Sequence, residues 1–297
     1  NGCATCHSGS LYDAQGLPTN EVWLGLPNTW IDLEDYAAAI YSGLKLGMRD
    51  ERAFLKTMEH VYPEMRWGER FTYRHLVMPR LRRELKEIET ARDRALVFDN
   101  GGPGVTNGVG ALKLQLGLIS DRTYAAKEMG LTSIPELSDR AFRTSLLYDG
   151  TYVRRGGARF RPVAREEATM ANAERHAEIV AFFTVGTAGN DVATAERMIP
   201  RVREVMQWLS RYRAPPFPGV VDVALAAQGR EVFASHCTAC HGRYEPDAGR
   251  PRLAEYPNRL VPQHVMGTDS VRWMAVDDSV LQWQASHPKH PFVRHVE

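Results

Sequence analysis

The sequence predicts a mainly α-helical fold with two regions, each of which contains one copy of the same short cysteine motif. Six segments place apolar residues at the three- and four-residue spacing of a helix, and no set of segments shows a convincing two-residue alternation. All four cysteines lie in two copies of Cys-x-x-Cys-His, which begin at Cys3 and Cys237. With 43 % hydrophobic and 25 % charged residues among 297, the chain can bury a globular core.

Six helices follow from this spacing, and capping residues mark where two of them begin. Thr29 or Asp32 is the expected cap of the first helix and Asp50 of the second, because short polar side chains accept hydrogen bonds from free backbone N–H groups. Pro79 is expected to kink the third helix, and the fifth contains Pro200. The predicted helices cover residues 30–46, 50–60, 68–93, 166–183, 193–212 and 222–235.

Two glycine-rich stretches interrupt these helices. In residues 148–161, Gly150, Gly156 and Gly157 supply turn residues, so at most a short hairpin is predicted there. The stretch 100–110 lacks the Gly-x-Gly-x-x-Gly pattern and follows a helix, which argues against a dinucleotide site. It is predicted to be a tight turn or a loop that cradles a cofactor.

Each Cys-x-x-Cys-His motif has the spacing of a c-type haem attachment site. Its two thiols would add to the two vinyl groups of one haem, and its histidine would reach the iron from the proximal side. The sequence therefore predicts two covalently bound c-type haems. The predicted attachment residues are Cys3, Cys6, Cys237 and Cys240, and the predicted proximal iron ligands are His7 and His241.

Other uses of these cysteines fit less well. A thioredoxin-like dithiol needs a βαβ context, which the sequence does not show. A structural zinc site would pair the two Cys-x-x-Cys motifs over a short interval, but Cys6 and Cys237 are far apart in the chain. Since all four cysteines belong to the two motifs, none remains for a disulfide.

Residues 213–219 form the best boundary between two regions. Three prolines in four positions cannot continue a helix, so we predict a first haem region with a helical insertion at 1–213 and a second cytochrome c-like region at 214–297. A helix precedes the second motif, but only two residues precede the first. The chain is therefore expected to be truncated at its start or completed by another polypeptide.

Charge and hydropathy limit the possible partners and location. The formal net charge is +1 and no basic block stands out, so a nucleic-acid-binding protein is not expected. No apolar run reaches the length of a transmembrane helix, and no signal peptide is visible. Because bacteria attach c-type haem outside the cytoplasm, a periplasmic or extracellular location is expected.

Several stretches outside the haem motifs share the pattern of one protein family. They are the linker 214–219 with the helix 222–233, the segment Tyr-Pro-Asn-Arg-Leu-Val-Pro at 256–262 with Gly-Thr-Asp at 267–269, Gly-Pro-Gly at 102–104 and Leu-Tyr-Asp-Gly at 147–150. On these residues the chain resembles the diheme c-type cytochromes related to rubber oxygenase, and more distantly bacterial diheme peroxidases and their MauG relatives. The resemblance spans most of the chain through scattered identities. It implies that one open haem acts on peroxide or O2.

The chain also departs from that family. Val105 stands where the family usually has Arg, Asn107 where Asp often follows, and Tyr148 where Trp precedes Asp-Gly. The family's Leu-His-Asn-Gly segment, which carries the distal ligand of the second haem, is not found in the sequence. Enzymatic activity and the sixth ligand of the second haem are therefore left open.

Three histidines are candidates for the distal position of the first haem. His176 lies on an apolar helix face, where a hydrogen-bonded core histidine is the alternative interpretation. His75 lies mid-helix on a partly apolar face. His60 ends its helix, where an interaction with the last carbonyls is a sufficient explanation.

The second haem has candidates downstream of its motif. His264 lies within the family-like stretch and is either an iron ligand or a surface residue; Met266 is close to it. The tail carries His287, His290 and His295 among prolines, and it is expected to be a solvated extension rather than a ligand source.

The sequence thus favours a diheme cytochrome that transfers electrons between a redox partner protein and an acceptor. Protein ligands on both sides of each iron suit outer-sphere electron transfer, and an open sixth position suits O2 or peroxide chemistry. The first alternative is therefore a haem-dependent peroxidase or oxygenase with one open haem. The others are a subunit of a larger cytochrome assembly and a structural cytochrome whose tail histidines bind a neighbour's haem.

Overall fold

The fold is mainly helical, as the sequence predicts, with about 53 % helix and 14 % strand. The computed structural model describes residues 2–91, 101–119, 130–147, 150, 152–157, 160–188, 190–247, 250–268 and 270–295. Among its helices, none is long and apolar enough to cross a membrane.

Fifteen α-helices are described, several of them only one turn long. A π-helical turn, Tyr73–Val77, joins α4 to α5, and a 3₁₀ turn lies at Arg140–Phe142. The helices are α1 Gly2–Cys6, α2 Leu33–Arg49, α3 Glu51–Val61, α4 Trp67–Thr72, α5 Met78–Ala91, α6 Gly108–Gln115, α7 Met170–Glu174, α8 Ala177–Ala188, α9 Val192–Leu209, α10 Val223–His236, α11 Thr238–His241, α12 Gln263–Met266, α13 Val271–Met274, α14 Asp278–Ser286 and α15 Pro291–His295.

The described strands form small antiparallel sheets. Three of these sheets pair two strands each, β1 with β2, β3 with β4 and β5 with β6, and the fourth has the order β7-β9-β8. The strands are β1 Ser8–Tyr12, β2 Pro18–Leu24, β3 Val105–Thr106, β4 Thr132–Ser133, β5 Ser145–Leu146, β6 Tyr152–Val153, β7 Val163–Ala164, β8 Arg243–Asp247 and β9 Arg250–Tyr256.

Side-chain caps explain why two predicted helices begin where they do. The Asp32 carboxylate accepts a hydrogen bond from Asp35 N at 3.0 Å, and the Asp50 carboxylate accepts one from Ala53 N at 3.0 Å. Each bond satisfies a backbone donor that has no partner within the helix. Both caps were predicted, and the starts of α2 and α3 follow from them.

Proline has different effects at its two predicted helix positions. Before Pro79 the helix widens into the π-helical turn, in which Met78 N donates to Tyr73 O. Pro79 supplies no N–H, so a carbonyl one turn earlier lacks its usual donor, and the irregularity lies at this point. The end predicted at residue 93 falls outside the described residues. Pro200, by contrast, lies inside α9 without ending it.

Three sequence expectations about secondary structure were wrong or shifted. The helix predicted at 166–183 is two helices, α7 and α8, separated at Arg175 and His176. The glycine-rich stretch 100–110, predicted as a turn or loop, has a turn near Gly104, but its last three residues begin α6, which Asn107 caps by accepting from Gly110 N at 3.2 Å. The hairpin predicted at 148–161 begins earlier, as β5 and β6 on either side of Gly150.

The main core lies between α8 and α9. Ala177, Ile179, Ala181 and Phe182 on α8 are 0 % exposed. They pack with small and branched residues of α9, including Ala195. This close packing of small side chains lets the two helices approach each other, and the buried apolar surface is the main stabilising contribution.

Helix α15 packs on this core, so the expected solvated tail was wrong for this part, whereas residues 285–289 are exposed. Phe292 and Val293 of α15 are 3 % and 6 % exposed. The Phe182 and Phe292 rings meet edge to face at 6.1 Å, and the His295 ring stacks on Phe182 at 5.3 Å. Arg155 also donates a hydrogen bond to Val293 O at 2.8 Å. The apolar residues between the histidines outweigh the polar composition of the tail.

The three-stranded sheet joins residues from both sides of the boundary predicted near residue 213. Val163 and Ala164 of β7 pair with Tyr256 and Glu255 of β9. Strand β8, which follows the second cysteine motif, pairs with the other edge of β9. The second motif is therefore connected to the middle of the chain by backbone hydrogen bonds.

We predict that truncating Phe292 to Ala lowers the free energy of unfolding by about 3–5 kcal/mol, because a buried aromatic side chain leaves a cavity. Phe217 is 71 % exposed, and Phe217→Ala should change stability by no more than about 0.5 kcal/mol. Urea unfolding of both variants measures the difference. Equal stability of the two would show that the tail does not pack on the core.

Candidate functional site

The first cysteine motif forms a single helical turn at the beginning of the described chain. Cys3 and Cys6 are three positions apart in α1, so both thiols lie on the same side of the turn. Both are free thiols; Cys3 is exposed and Cys6 is half-buried. Burial, and secondarily the nearby Cys3, raise the pKa of the Cys6 thiol. Both thiols are therefore available on one side of the turn.

The histidine of this motif is oriented by a hydrogen bond from a distant part of the chain. Nδ1 of His7 lies 3.0 Å from the carbonyl oxygen of Pro135. A carbonyl can only accept, so Nδ1 carries the proton and Nε2 keeps a free lone pair. Burial lowers the pKa of His7. The hydrogen bond to Pro135 raises it, and the positive charge of Arg140 lowers it further. A neutral imidazole with its other nitrogen fixed in this way is the form that binds a metal.

The segment after β2 holds the backbone of the first motif. Gly25 N donates to His7 O at 2.8 Å, Asn28 N donates to Cys6 O at 2.8 Å, and Asn28 Nδ2 donates to Thr5 O at 3.0 Å. The last carbonyls of the helical turn, which have no partner within it, are satisfied in this way. The turn is therefore held in place before any ligand binds.

Gly25 is required at its position for two reasons. Its φ of 94° lies in the left-handed region, and an added Cβ would come within 2.5 Å of the Tyr212 ring. Next to it is an open cavity of about 450 Å³ between β2 and the C-terminal end of α9. Apolar and aromatic side chains meet two arginines in its wall, which consists of Val22, Trp23, Leu24, Trp208, Tyr212, Arg211 and Arg213.

The second motif follows directly from α10. Cys237 ends α10 and precedes the one-turn helix α11, and His241 N donates to Cys237 O at 2.9 Å. Cys237 is half-buried, whereas Cys240 and His241 are exposed. Among the described residues, the His241 ring has no hydrogen-bond partner, in contrast to that of His7. The two motifs share a local fold but differ in how firmly the histidine is held.

A β-hairpin follows each motif at once, which the sequence analysis missed. Strand β1 begins at Ser8, directly after His7, and β8 begins at Arg243, one residue after Gly242. Gly242 has a φ of 91°, and an added Cβ would lie 2.6 Å from Glu255 O and 2.7 Å from Leu253 Cδ1. Only glycine permits β9 to pack this closely against the end of the second motif.

The helix before the second motif leaves its apolar side chains exposed. No residue of α10 is buried, and Val223, Leu225 and Val232 are 80 %, 64 % and 58 % exposed. Helices α12 and α13 also expose large apolar side chains, which are Val265, Met266, Val271, Trp273 and Met274. Apolar surface on this scale is typical of a site that binds a hydrophobic ligand or partner.

The predicted distal ligands are dispersed. His75 is exposed in the π-helical turn, with its ring 4.5 Å from the Phe71 ring, and His264 is exposed in α12. In the described part of the chain, no hydrogen bond or ring contact joins His75, His176 or His264 to the histidine of either motif. His60 is exposed as well. The described residues contain no cluster of three or more metal-ligating side chains, but a haem iron takes only one or two ligands from protein.

His176 has a partner of its own. It lies between α7 and α8, is 3 % exposed, and its Nε2 lies 2.6 Å from the carbonyl oxygen of Arg143. Burial lowers its pKa to about 4, since the Arg143 bond does not offset desolvation and the nearby arginines. Its Nδ1 is buried and has no hydrogen-bond partner within the described ranges. This is the hydrogen-bonded core histidine that the sequence analysis gave as the alternative to an iron ligand.

Comparisons with known proteins do not add a family to these observations. Neither the protein-family models, nor the curated proteins, nor the solved structures contain a match to the chain. What the site can do therefore has to be argued from its own residues.

We predict that His176 makes the protein less stable in acid. The unfolded chain takes up a proton at this histidine below its ordinary pKa of 6.5, but the folded chain does so only near pH 4. The neutral His176 side chain therefore contributes fully to the free energy of unfolding above pH 6.5. This contribution decreases by about 1.4 kcal/mol for each pH unit below that value, down to about pH 4. His176→Gln should remove this slope.

Urea unfolding at about pH 7 and about pH 5 measures the effect. His236→Gln, which changes an exposed histidine that is not a candidate ligand, should keep the wild-type slope. Parallel pH dependences for wild type and His176→Gln would contradict the prediction.

Proposed function

We propose that the chain is a diheme c-type cytochrome that transfers electrons between redox partners. The observation that carries the proposal is the bond from His7 to Pro135 within a Cys-x-x-Cys-His motif. It fixes the imidazole tautomer whose Nε2 can ligate iron, next to two free thiols at the spacing of haem attachment.

The residues around both motifs fit a haem. Cys3, Cys6 and His7 would hold the first, and Cys237, Cys240 and His241 the second. Apolar side chains on α10 match the faces of the macrocycle, and the cavity beside Gly25 combines aromatic walls with Arg211 and Arg213, which suit carboxylates. When bound, a haem supplies an iron that cycles between the ferric and ferrous states.

Exposure of the attachment residues supports electron transfer with another protein. Cys3 and Cys240 are exposed, one in each motif. A haem joined there would bring one edge to the protein surface, where a partner can approach it without entering a pocket. We further propose that a redox partner protein docks at these edges and that the chain acts in the periplasm or outside the cell, where bacteria attach c-type haem.

An enzyme with one open haem is the second candidate, and His176 favours it. Of the three predicted distal ligands, it alone is buried, yet its Nε2 is bonded to Arg143 O. If no other side chain takes the distal position, O2 or peroxide reaches the iron. The resemblance to rubber oxygenase relatives points in the same direction.

We predict that the protein, produced together with a c-type haem attachment system, gains the mass of two haem groups and keeps them under denaturing conditions. The paired change Cys3→Ala and Cys6→Ala should remove one haem, and Cys237→Ala with Cys240→Ala the other, because each motif forms its own thioether bonds. Intact-protein mass spectrometry and the pyridine haemochrome spectrum measure the haem content. A wild-type protein without covalent haem would refute the proposed function.

We predict that carbon monoxide leaves the spectrum of the dithionite-reduced protein unchanged. Two protein ligands on each iron exclude CO, so the Soret band should not shift. His75→Ala and His264→Ala, each compared with wild type, test those two candidate ligands. A shift of part of the Soret band in the wild type would instead favour the peroxidase or oxygenase.

A further inference from the structure

One segment of the chain reaches both cysteine motifs. We call residues 135–144 the bridging segment. At its start, Pro135 O accepts the hydrogen bond from His7 Nδ1. Two residues later, Leu137 N donates to Gly25 O at 2.8 Å, and Gly25 N in turn donates to His7 O. The start of the bridging segment is therefore bound to the His7 side chain and to the backbone of Gly25, which holds the first motif.

The other end is bound to the strand that packs on the second motif. Asn258, two residues after β9, is 7 % exposed and donates through Nδ2 to Phe142 O at 2.7 Å. Its Oδ1 accepts from Thr144 N at 3.1 Å. Its φ of 45° is in the left-handed region, which asparagine adopts more readily than most other non-glycine residues. One side chain thus joins two backbone groups of the bridging segment to the end of the hairpin.

A stacked pair continues this connection to the second motif itself. The Arg143 guanidinium lies 3.7 Å from the centre of the Tyr256 ring. That ring packs on Gly242, since a Cβ built there would be 3.3 Å from Tyr256 Cδ2. Gly242 is bonded directly to His241. Arg143 and Tyr256 therefore link the bridging segment to the residue that directly follows the second motif.

The middle of the bridging segment is held by side-chain hydrogen bonds of Arg140. Arg140 donates to the carbonyls of Ser138 and Glu136, which closes the segment into a compact turn. The middle of the bridging segment is therefore a defined turn rather than an extended strand.

We propose that the bridging segment fixes the two motifs relative to each other and provides the path for electrons between them, with Arg143 and Tyr256 as positioning residues. This inference rests on the proposed function. The transfer is one electron leaving a ferrous haem at one motif and reducing a ferric haem at the other. No bond is made or broken, no proton moves, and no further reactant is needed.

The test measures electron redistribution between the two haems after a flash-generated reductant has reduced one of them. Samples are freeze-quenched at increasing times, and electron paramagnetic resonance distinguishes the two ferric haems. Tyr256→Leu removes the ring that joins Arg143 to Gly242. We expect it to slow redistribution by roughly tenfold or more, because even small displacements of reacting centres carry large rate penalties. Tyr256→Phe keeps the ring and should retain the wild-type rate.

Two further variants keep the test decisive. Arg143→Gln removes the guanidinium from the Tyr256 ring but leaves the hydrogen bonds of Asn258 to the backbone. It should also slow redistribution, and it tests the same contact if Tyr256→Leu does not fold. Tyr41→Leu is the matched control, since Lys45 Nζ lies 5.4 Å above the Tyr41 ring in α2 and this pair is remote in sequence from both motifs. It should leave the rate unchanged.

Haem content and the reduction potentials of both haems are measured on every variant. The inference is overturned if Tyr256→Leu and Arg143→Gln redistribute electrons as fast as Tyr41→Leu. It is also overturned if a slower rate is fully explained by changed potentials, because driving force rather than path would then be responsible. Absence of covalent haem from the wild type would refute the proposed function instead, so the two failures are distinguishable.

Discussion

The hydrogen bond between His7 and Pro135 is the contact on which the arrangement of the candidate site depends. It selects one tautomer of the imidazole, and it ties a motif near residue 1 to a segment in the middle of the chain. Around it, Gly25 and Asn28 satisfy the carbonyls of the motif turn. Without these partners a one-turn helix would have no stability of its own, since helix formation begins with a costly nucleus.

The same middle segment reaches the second motif, so the two motifs belong to one connected structure. Asn258 bonds to it at two backbone groups, and Arg143 stacks on Tyr256. The sheet β7-β9-β8 reinforces the connection through backbone pairing. Rigid positioning of this kind suits two redox centres that exchange electrons, because the distance between them is then set by the fold rather than by a flexible linker.

Local signals were enough to predict much of the helical structure. The Asp32 and Asp50 caps and the irregularity at Pro79 follow from a few adjacent residues, and the two cysteine motifs are recognisable from their spacing alone. Long-range contacts were not predictable in this way. Nothing local marks Pro135 as the partner of His7, or Tyr212 and Glu255 as the residues that lie close to Gly25 and Gly242.

Two expectations failed for different physical reasons. The sequence suggested a solvated tail from its histidines and prolines, but burial of Phe292 and Val293 outweighs that composition. The hairpins after the motifs were missed because one strand of each, β2 and β8, is largely exposed, and exposed strands show little hydrophobic alternation. For the candidate ligands, the sequence pattern predicted apolar surroundings for His176, and the residue is buried, but it lies between α7 and α8 rather than on a helix face. The pattern could not reveal the Arg143 carbonyl that is bonded to its Nε2.

The packing of Phe292 on Phe182 also constrains the order of events during synthesis. More than a hundred residues separate the two rings, so the core around α8 is complete only after Phe292 has emerged from the ribosome. The turn with Cys3 and Cys6 is likewise synthesised well before Pro135, the hydrogen-bond partner of His7. Until the chain reaches Pro135, the first motif lacks the contact that orients its histidine in the folded protein.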